Sequence, residues 1–167
     1  MAESVKPYTM DELREAVEQN RIYNSLEGIY LVNCNVIAKS RRDRFSPYHT
    51  RREFEIGRRI FGIAKVPEMY SAEEFNNRNF LAMQLIEGRT MHELSGHELC
   101  HALHMRDIEI EKVLDFEIYP FDAFNPENSI LTQRGDVVLL DLEFWTDAID
   151  CREMGEFRRR LGKRCLD

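Results

Sequence analysis

Four polar side chains fall at the ends of apolar segments in an order that suits phosphoryl transfer. Lys39 closes the run VIAK, Glu53 lies in the helical pattern that follows, Asn128 sits in FNPENSIL, and Asp141 comes directly after VVLL. Phosphoryl transfer asks a protein for little covalent chemistry: a cation for the phosphates, an anion that holds this cation, and oxygen ligands for Mg2+. Lys39 supplies the first, Glu53 or Glu55 the second, and Asn128 with Asp141 the third. Glu53 is preferred to Glu55 because Ile56 and Ile60 follow it on the same side of a helix, which sets it beside the apolar stripe. A carboxylate placed after an apolar strand, as Asp141 is, is costly to leave unpaired, so a cation or a firm set of hydrogen bonds is expected there. Glu143 is either a further ligand or a solvent-facing strand position.

A second pattern competes. His97-Glu98-Leu99-Cys100-His101 matches the zinc metallopeptidase arrangement of two histidines one helical turn apart with a glutamate base between them, and Asp107 falls where a third ligand would stand. The surroundings argue against it. Ser95-Gly96 starts the helix immediately before His97, whereas a zinc helix runs through apolar residues into its first histidine, and His104 stands where the extended pattern needs a glycine. The plainer reading is an amphipathic helix with Leu99 and Leu103 inward and the histidines outward.

The bulk properties narrow the partners. A chain of 167 residues suits one domain but is short for a full two-lobed enzyme. A formal charge of −7 argues against phosphate-driven nucleic-acid binding, so no sequence-specific nucleic acid is expected. No run approaches the ~20 apolar residues of a membrane span, and MAESVKPYTMDE lacks the order of a secretory signal, so the expectation is a cytoplasmic protein with no membrane partner. Cys34, Cys100, Cys151 and Cys165 are widely spaced, without a Cys-x-x-Cys pair, and read as reduced thiols.

The elements that must position these groups follow from pattern. DELREAVEQN reads as a helix capped by Thr9, and residues 21–25 and 28–39 read as an antiparallel hairpin around Glu27-Gly28. RRDRFSP is a basic loop. HTRREFEIGRRIFG is a helix with Phe54, Ile56, Ile60 and Phe61 near one side and Gly62 at its end. NFLAMQLIE is a central strand that stops at the turn-forming Gly88. Ser95 caps a helix reaching His104, and EIEKVL forms a second short helix. SILTQ and DVVLLDLEF are strands joined by a Gly-Asp turn, ahead of a basic terminal helix in EMGEFRRRLGKR to which no function is assigned.

Over roughly residues 21–145 this order resembles the protein-kinase-like superfamily, most closely its aminoglycoside and choline phosphotransferase branch. VIAK resembles the strand whose lysine pairs the nucleotide phosphates, and REFEIGRRIFGIAKVPEMY the ion-pairing helix and the Val-Pro turn after it. FLAMQLIEGRTMHEL is similar to the hinge, with Met83 as gatekeeper and the backbone of Gln84 and Ile86 available to an adenine. FNPENSIL resembles the catalytic loop ending in a metal-binding asparagine, and DVVLLDLE the strand that delivers the metal-binding aspartate. The resemblance implies an α+β, protein-kinase-like fold: a small N-lobe antiparallel sheet with a helix over about 1–86, and a truncated, mostly helical C-lobe over about 87–167. It also implies ATP and Mg2+ as cofactors and a protein or small-molecule hydroxyl as phosphoryl acceptor.

The departures are specific. The family's catalytic aspartate precedes the loop asparagine by five residues, a position held here by Ala123, while Asp122 stands one earlier. Either the loop bulges to bring Asp122 into place or the general base is missing. The usual loop histidine is absent, with Tyr119 and Phe121 nearby, and Gly28 is the one glycine where a phosphate-covering loop would carry more. The expectation is an ATP-dependent phosphotransferase with Asp122 and Lys39 catalytic. The alternatives are an inactive kinase-like module that binds a nucleotide or partner, and the zinc peptidase.

Overall fold

The computed structural model describes residues 7–23, 28–41 and 46–147. The chain divides into two compact units: residues up to Arg58 with Glu68–Leu85, and Arg59–Pro67 with the chain from Ile86 onward.

The first unit opens with α1 (Met10–Glu18), started by a complete capping box. The Thr9 hydroxyl accepts from the Glu12 N–H at 3.2 Å, and the Thr9 N–H donates to the Glu12 carboxylate at 2.6 Å. Those backbone and side-chain bonds hold the Glu12 carboxyl below its ordinary range. Leu13 and Ala16 turn inward, and Leu13 joins Tyr8, Tyr30, Val32, Val36, Ala38, Phe80 and Ala82 in one apolar cluster.

Two strands, β1 (Ile29–Asn33) and β2 (Val36–Arg41), form a hairpin that turns at Cys34-Asn35. This corrects the expectation of a single strand over 28–39 with its turn at Glu27-Gly28. Asn33 explains the difference: its side-chain oxygen accepts the Asn35 N–H at 3.0 Å, an Asx turn that the β-branched neighbours had hidden. The expected strand over 21–25 is reduced to one bridge between Ile22 and Tyr30, with residues 24–27 outside the described ones.

Helix α2 covers Ser46–Ile60; of the loop expected before it, residues 42–45 lie outside the described ones. Glu53, Ile56 and Ile60 are buried, as the three-and-seven spacing requires, but Phe61 lies beyond the helix and is exposed. Then come β3 (Met69–Phe75) and β4 (Arg78–Gln84). Asn76 and Asn77, at φ 51° and 55°, make the two-residue turn whose positive φ values suit the strand twist. The sheet order is β1-β2-β4-β3, all pairs antiparallel. Interior β4 buries Phe80, Leu81, Ala82 and Met83 in succession, as a strand covered on both faces does.

In the second unit β5 (Arg89–Thr90) leads to α3 (Gly96–Leu114), and β5 pairs with β6 (Ser129–Leu131), which pairs with β7 (Val137–Leu139). Gly88 has no room for a side chain: a Cβ would fall 2.4 Å from both the Ile130 methyl and the Leu131 carbonyl oxygen. The two expected helices are one. No Gly or Pro interrupts His104–Glu109, and Arg106 and Asp107 are buried along α3 instead of marking a break. Met91, Leu94, Ala102, Leu131 and Val137 form the apolar cluster of this unit. Among the described residues no helix is long and apolar enough to cross a membrane, and Cys34 and Cys100 are free thiols. Cys151, Cys165 and the expected basic terminal helix lie outside the described residues.

Candidate functional site

Within the first unit, β2 and α2 bring two cations to one carboxylate. Lys39 sits mid-strand, opposite Ile29 on one side and Leu81 on the other. Its Nζ lies 3.6 Å from Glu53 Oε2, and Glu53 is only 1% exposed. Arg41, two residues on and therefore on the same strand face, donates to that oxygen at 2.5 Å. Glu55 is exposed and pairs with Arg51, so it has no part in this cluster. Arg41 was not singled out from sequence, although alternation along β2 was the available signal.

Within the second unit, Asp122, Asn128 and Asp141 come together. A chain of turns shapes the loop. The Ala123 N–H donates to the Pro120 carbonyl at 3.2 Å, Asn125 to Asp122 at 2.9 Å and Asn128 to Asn125 at 3.0 Å. The Asn125 side chain accepts from the Glu127 N–H at 3.2 Å and opens the short 3-10 turn Pro126–Asn128. Ala123 is fully buried, while the Asp122 carboxylate receives the Asn128 side-chain amide at 2.9 Å. The tight turn thus sends the methyl of Ala123 to the core and the carboxylate of Asp122 to Asn128.

Asp141 arrives from the other side. The strand expected through Phe144 ends at Leu139; the Leu140 N–H donates to the Asn128 carbonyl at 2.8 Å, and Asp141 takes the left-handed conformation at φ 54°, ψ 69°. That conformation costs a non-glycine residue roughly 1 kcal/mol or more, and such residues gather at functional sites. Glu143 therefore lies in the 3-10 turn Leu142–Phe144, not at an alternate strand position. Burial, and secondarily the charge of Asp141, push the Asp122 carboxyl above its ordinary range, against the lowering effect of the Asn128 amide bond. Trp145, fully buried, is a neighbour of Asp122 that sequence reasoning missed.

Two half-buried carboxylates that feel each other's charge, with an amide oxygen beside them, form a donor set of hard oxygens that fits Mg2+.

Met83 is buried in β4, opposite Ile37 and Met69. The Gln84 N–H donates to the Glu68 carbonyl at 2.9 Å, and the Gln84 side chain accepts from the Glu68 N–H at 3.3 Å. The fold therefore consumes the Gln84 N–H. The boundary of the units falls between Leu85 and Ile86.

The histidines of the competing motif occupy an exposed stretch of α3. Glu98 forms an ion pair with Arg89, and Asp107, paired with Arg106 at 3.0 Å, stands about 9 Å along the axis beyond His101. Among the described residues no group of three or more His, Cys, Asp or Glu side chains is placed to hold a metal ion.

An antiparallel N-terminal sheet with a helix, followed by a mostly helical region, is an α+β fold of kinase-like topology. Two solved structures of WbdD share it. Against monomeric WbdD the TM-score is 0.62 at 10% identity, over 80% of this chain and 35% of that one. Against the bifunctional kinase-methyltransferase WbdD it is 0.57 at 11% identity, over 78% of this chain and 32% of that one. The chain thus spans about a third of the length of these structures. No protein-family model matches the chain, and no curated protein matches it in sequence.

Proposed function

We propose that the chain is an ATP-dependent phosphotransferase that passes the γ-phosphate to a hydroxyl of a protein or a small molecule. The observation that carries this reading is the convergence of two segments, the loop that carries Asp122 and Asn128 and the end of β7 that leads to Asp141, on one oxygen-rich site. The pairing of Lys39 with the buried Glu53 and the kinase-like topology support it.

Lys39 binds the α- and β-phosphates, and Glu53 fixes the direction of its ammonium group. Asn128 and Asp141 are the residues that would hold Mg2+, which when bound neutralises charge on the phosphate oxygens. Asp122 orients the acceptor hydroxyl and takes its proton as the oxygen bonds to the γ-phosphorus and the bond to the ADP oxygen breaks. Met83 lines the adenine position, with the Gln84 carbonyl and the Ile86 N–H as its backbone partners.

The burial of Ala123 at the family's usual base position favours a second reading, a kinase-like module that binds nucleotide or a partner without turnover. ATP hydrolysis and acceptor phosphorylation, measured for the wild type and Asp122→Asn, separate the two. Phosphotransfer that falls at least a hundredfold in the variant supports the enzyme. Nucleotide binding without turnover in either protein supports the module.

A further inference from the structure

Glu109 is a buried acid with no role in the chemistry above. It is 1% exposed, on α3, and its carboxylate is fully engaged. One oxygen accepts the Lys65 backbone N–H at 2.8 Å; the other accepts the Lys112 ammonium at 2.7 Å. Lys65 belongs to the same unit and is held at two further points. Its carbonyl accepts the Leu139 N–H at 2.8 Å, and its ammonium pairs with Asp136 at the turn before β7.

A continuous relay of bonds follows: Glu109 to the Lys65 backbone, the Lys65 carbonyl to Leu139, and the next residue, Leu140, to the Asn128 carbonyl. Leu139 is the last residue of β7, two before Asp141. β7 is only three residues long, and among the described residues β6 supplies its single strand neighbour. The residue-65 segment acts as its second neighbour. That segment is too short to hold itself there by strand pairing, and a buried carboxylate on a 19-residue helix is a rigid anchor for it.

The geometry points to Glu109 as a positioning residue for Asp141: it pins Lys65 from α3, and Lys65 in turn fixes the end of β7 from which Asp141 projects. The positioning of a metal ligand rests on the phosphotransferase reading; the clamp on β7 does not. Groups that hydrogen-bond a metal ligand directly change metal affinity or activity by roughly 10–100-fold when lost; Glu109 acts through two hydrogen bonds and two residues, so an effect at the lower end of that range is expected.

The test uses the full chain and two readouts. Amide hydrogen exchange at Lys65, Leu139 and Leu140 is compared with exchange at Leu81 in β4, and the Mg2+ concentration that half-saturates ATP binding is measured. Glu109→Met removes the acceptor at similar bulk. It is expected to speed exchange at the three amides selectively and to raise the Mg2+ requirement roughly tenfold, with ATP affinity in the absence of Mg2+ unchanged. Glu109→Gln keeps an oxygen for the Lys65 N–H and is expected to behave as wild type; if the methionine variant does not fold, Glu109→Asp, one methylene shorter and so drawn back from the Lys65 N–H, carries the test, with the same selective rise in exchange expected. Lys112→Ala, which leaves the Lys65 bond in place, is also expected to behave as wild type.

Exchange that rises equally at Leu81, or does not rise at Leu139 and Leu140, would overturn the clamp. Selective exchange without a change in Mg2+ requirement would overturn the positioning role. If the wild-type protein shows no Mg2+-dependent ATP binding, the phosphotransferase reading and the positioning role fall together, while the exchange result still decides the clamp.

Discussion

The side-chain amide of Asn128 donates to the carboxylate of Asp122 at 2.9 Å and to the Asp122 backbone carbonyl at 3.3 Å. One residue thus fixes both the direction of an aspartate and the turn that carries it. The kinase-like resemblance of the sequence sets the base at Ala123, one position after Asp122, and these two hydrogen bonds show how the loop still presents a carboxylate beside Asn128.

Asp122 should report on its neighbourhood through pH. Its folded-state pKa is raised, so ionisation costs folding stability: the penalty is absent below the ordinary Asp value of about 3.9 and complete above the raised folded value. Asp122→Asn is therefore expected to be more stable than wild type at neutral pH, with the advantage disappearing as pH falls through the folded pKa toward the unfolded one. Chemical denaturation of both proteins at several pH values checks it. A stability difference independent of pH would contradict the shift.

Asp141→Asn is expected to separate stability from function. Asparagine tolerates the left-handed backbone as well as aspartate does, so the turn at φ 54° is kept while the charge facing Asp122 goes. The variant should melt at or above the wild-type temperature and lose phosphotransfer. A protein that unfolds, or one that keeps full activity, would contradict the metal-ligand assignment.

Glu53 and Glu55 should differ sharply under substitution. Glu53→Ala removes a carboxylate buried between Lys39 and Arg41 and is expected to cost about 3 kcal/mol. Glu55→Ala removes half of an exposed pair with Arg51 and should fall within about 0.5 kcal/mol of wild type. Urea denaturation midpoints of the two variants decide it; equal losses would place the important carboxylate elsewhere.

Gly88→Ala should destabilise the second unit by about 2 kcal/mol or more, because its Cβ would overlap a backbone carbonyl as well as a side chain. Thermal melting of the variant measures this. An unchanged melting temperature would mean that β5 and β6 separate more easily than their spacing implies.

Much of this was legible from residue spacing. Glu53 was found because Ile56 and Ile60 repeat at helical spacing, and Thr9 because an acidic first turn follows it. Asp141 followed from four apolar residues before a lone carboxylate. What escaped notice depended on turns and on contacts between distant segments. MYSAEEF has too little apolar alternation to announce β3, and the Asn76-Asn77 turn that pairs it with β4 is visible only once two adjacent asparagines are read as a positive-φ pair. Buried charges misled in α3, where Arg106 and Asp107 fell between the two expected helices and Glu109 opened the second. Their partners, among them the Lys65 backbone and the Phe124 ring over which Arg106 lies at 5.2 Å, belong to remote segments that local pattern does not report.

The most direct test of the account is an ATP titration with and without Mg2+, run on the wild type and on Asp141→Asn. The expected result is that Mg2+ strengthens ATP binding to the wild type by at least tenfold and leaves the variant unchanged. Equal strengthening in both proteins would contradict the site built on Asp122, Asn128 and Asp141, and no binding by the wild type under either condition would contradict the phosphotransferase reading as a whole.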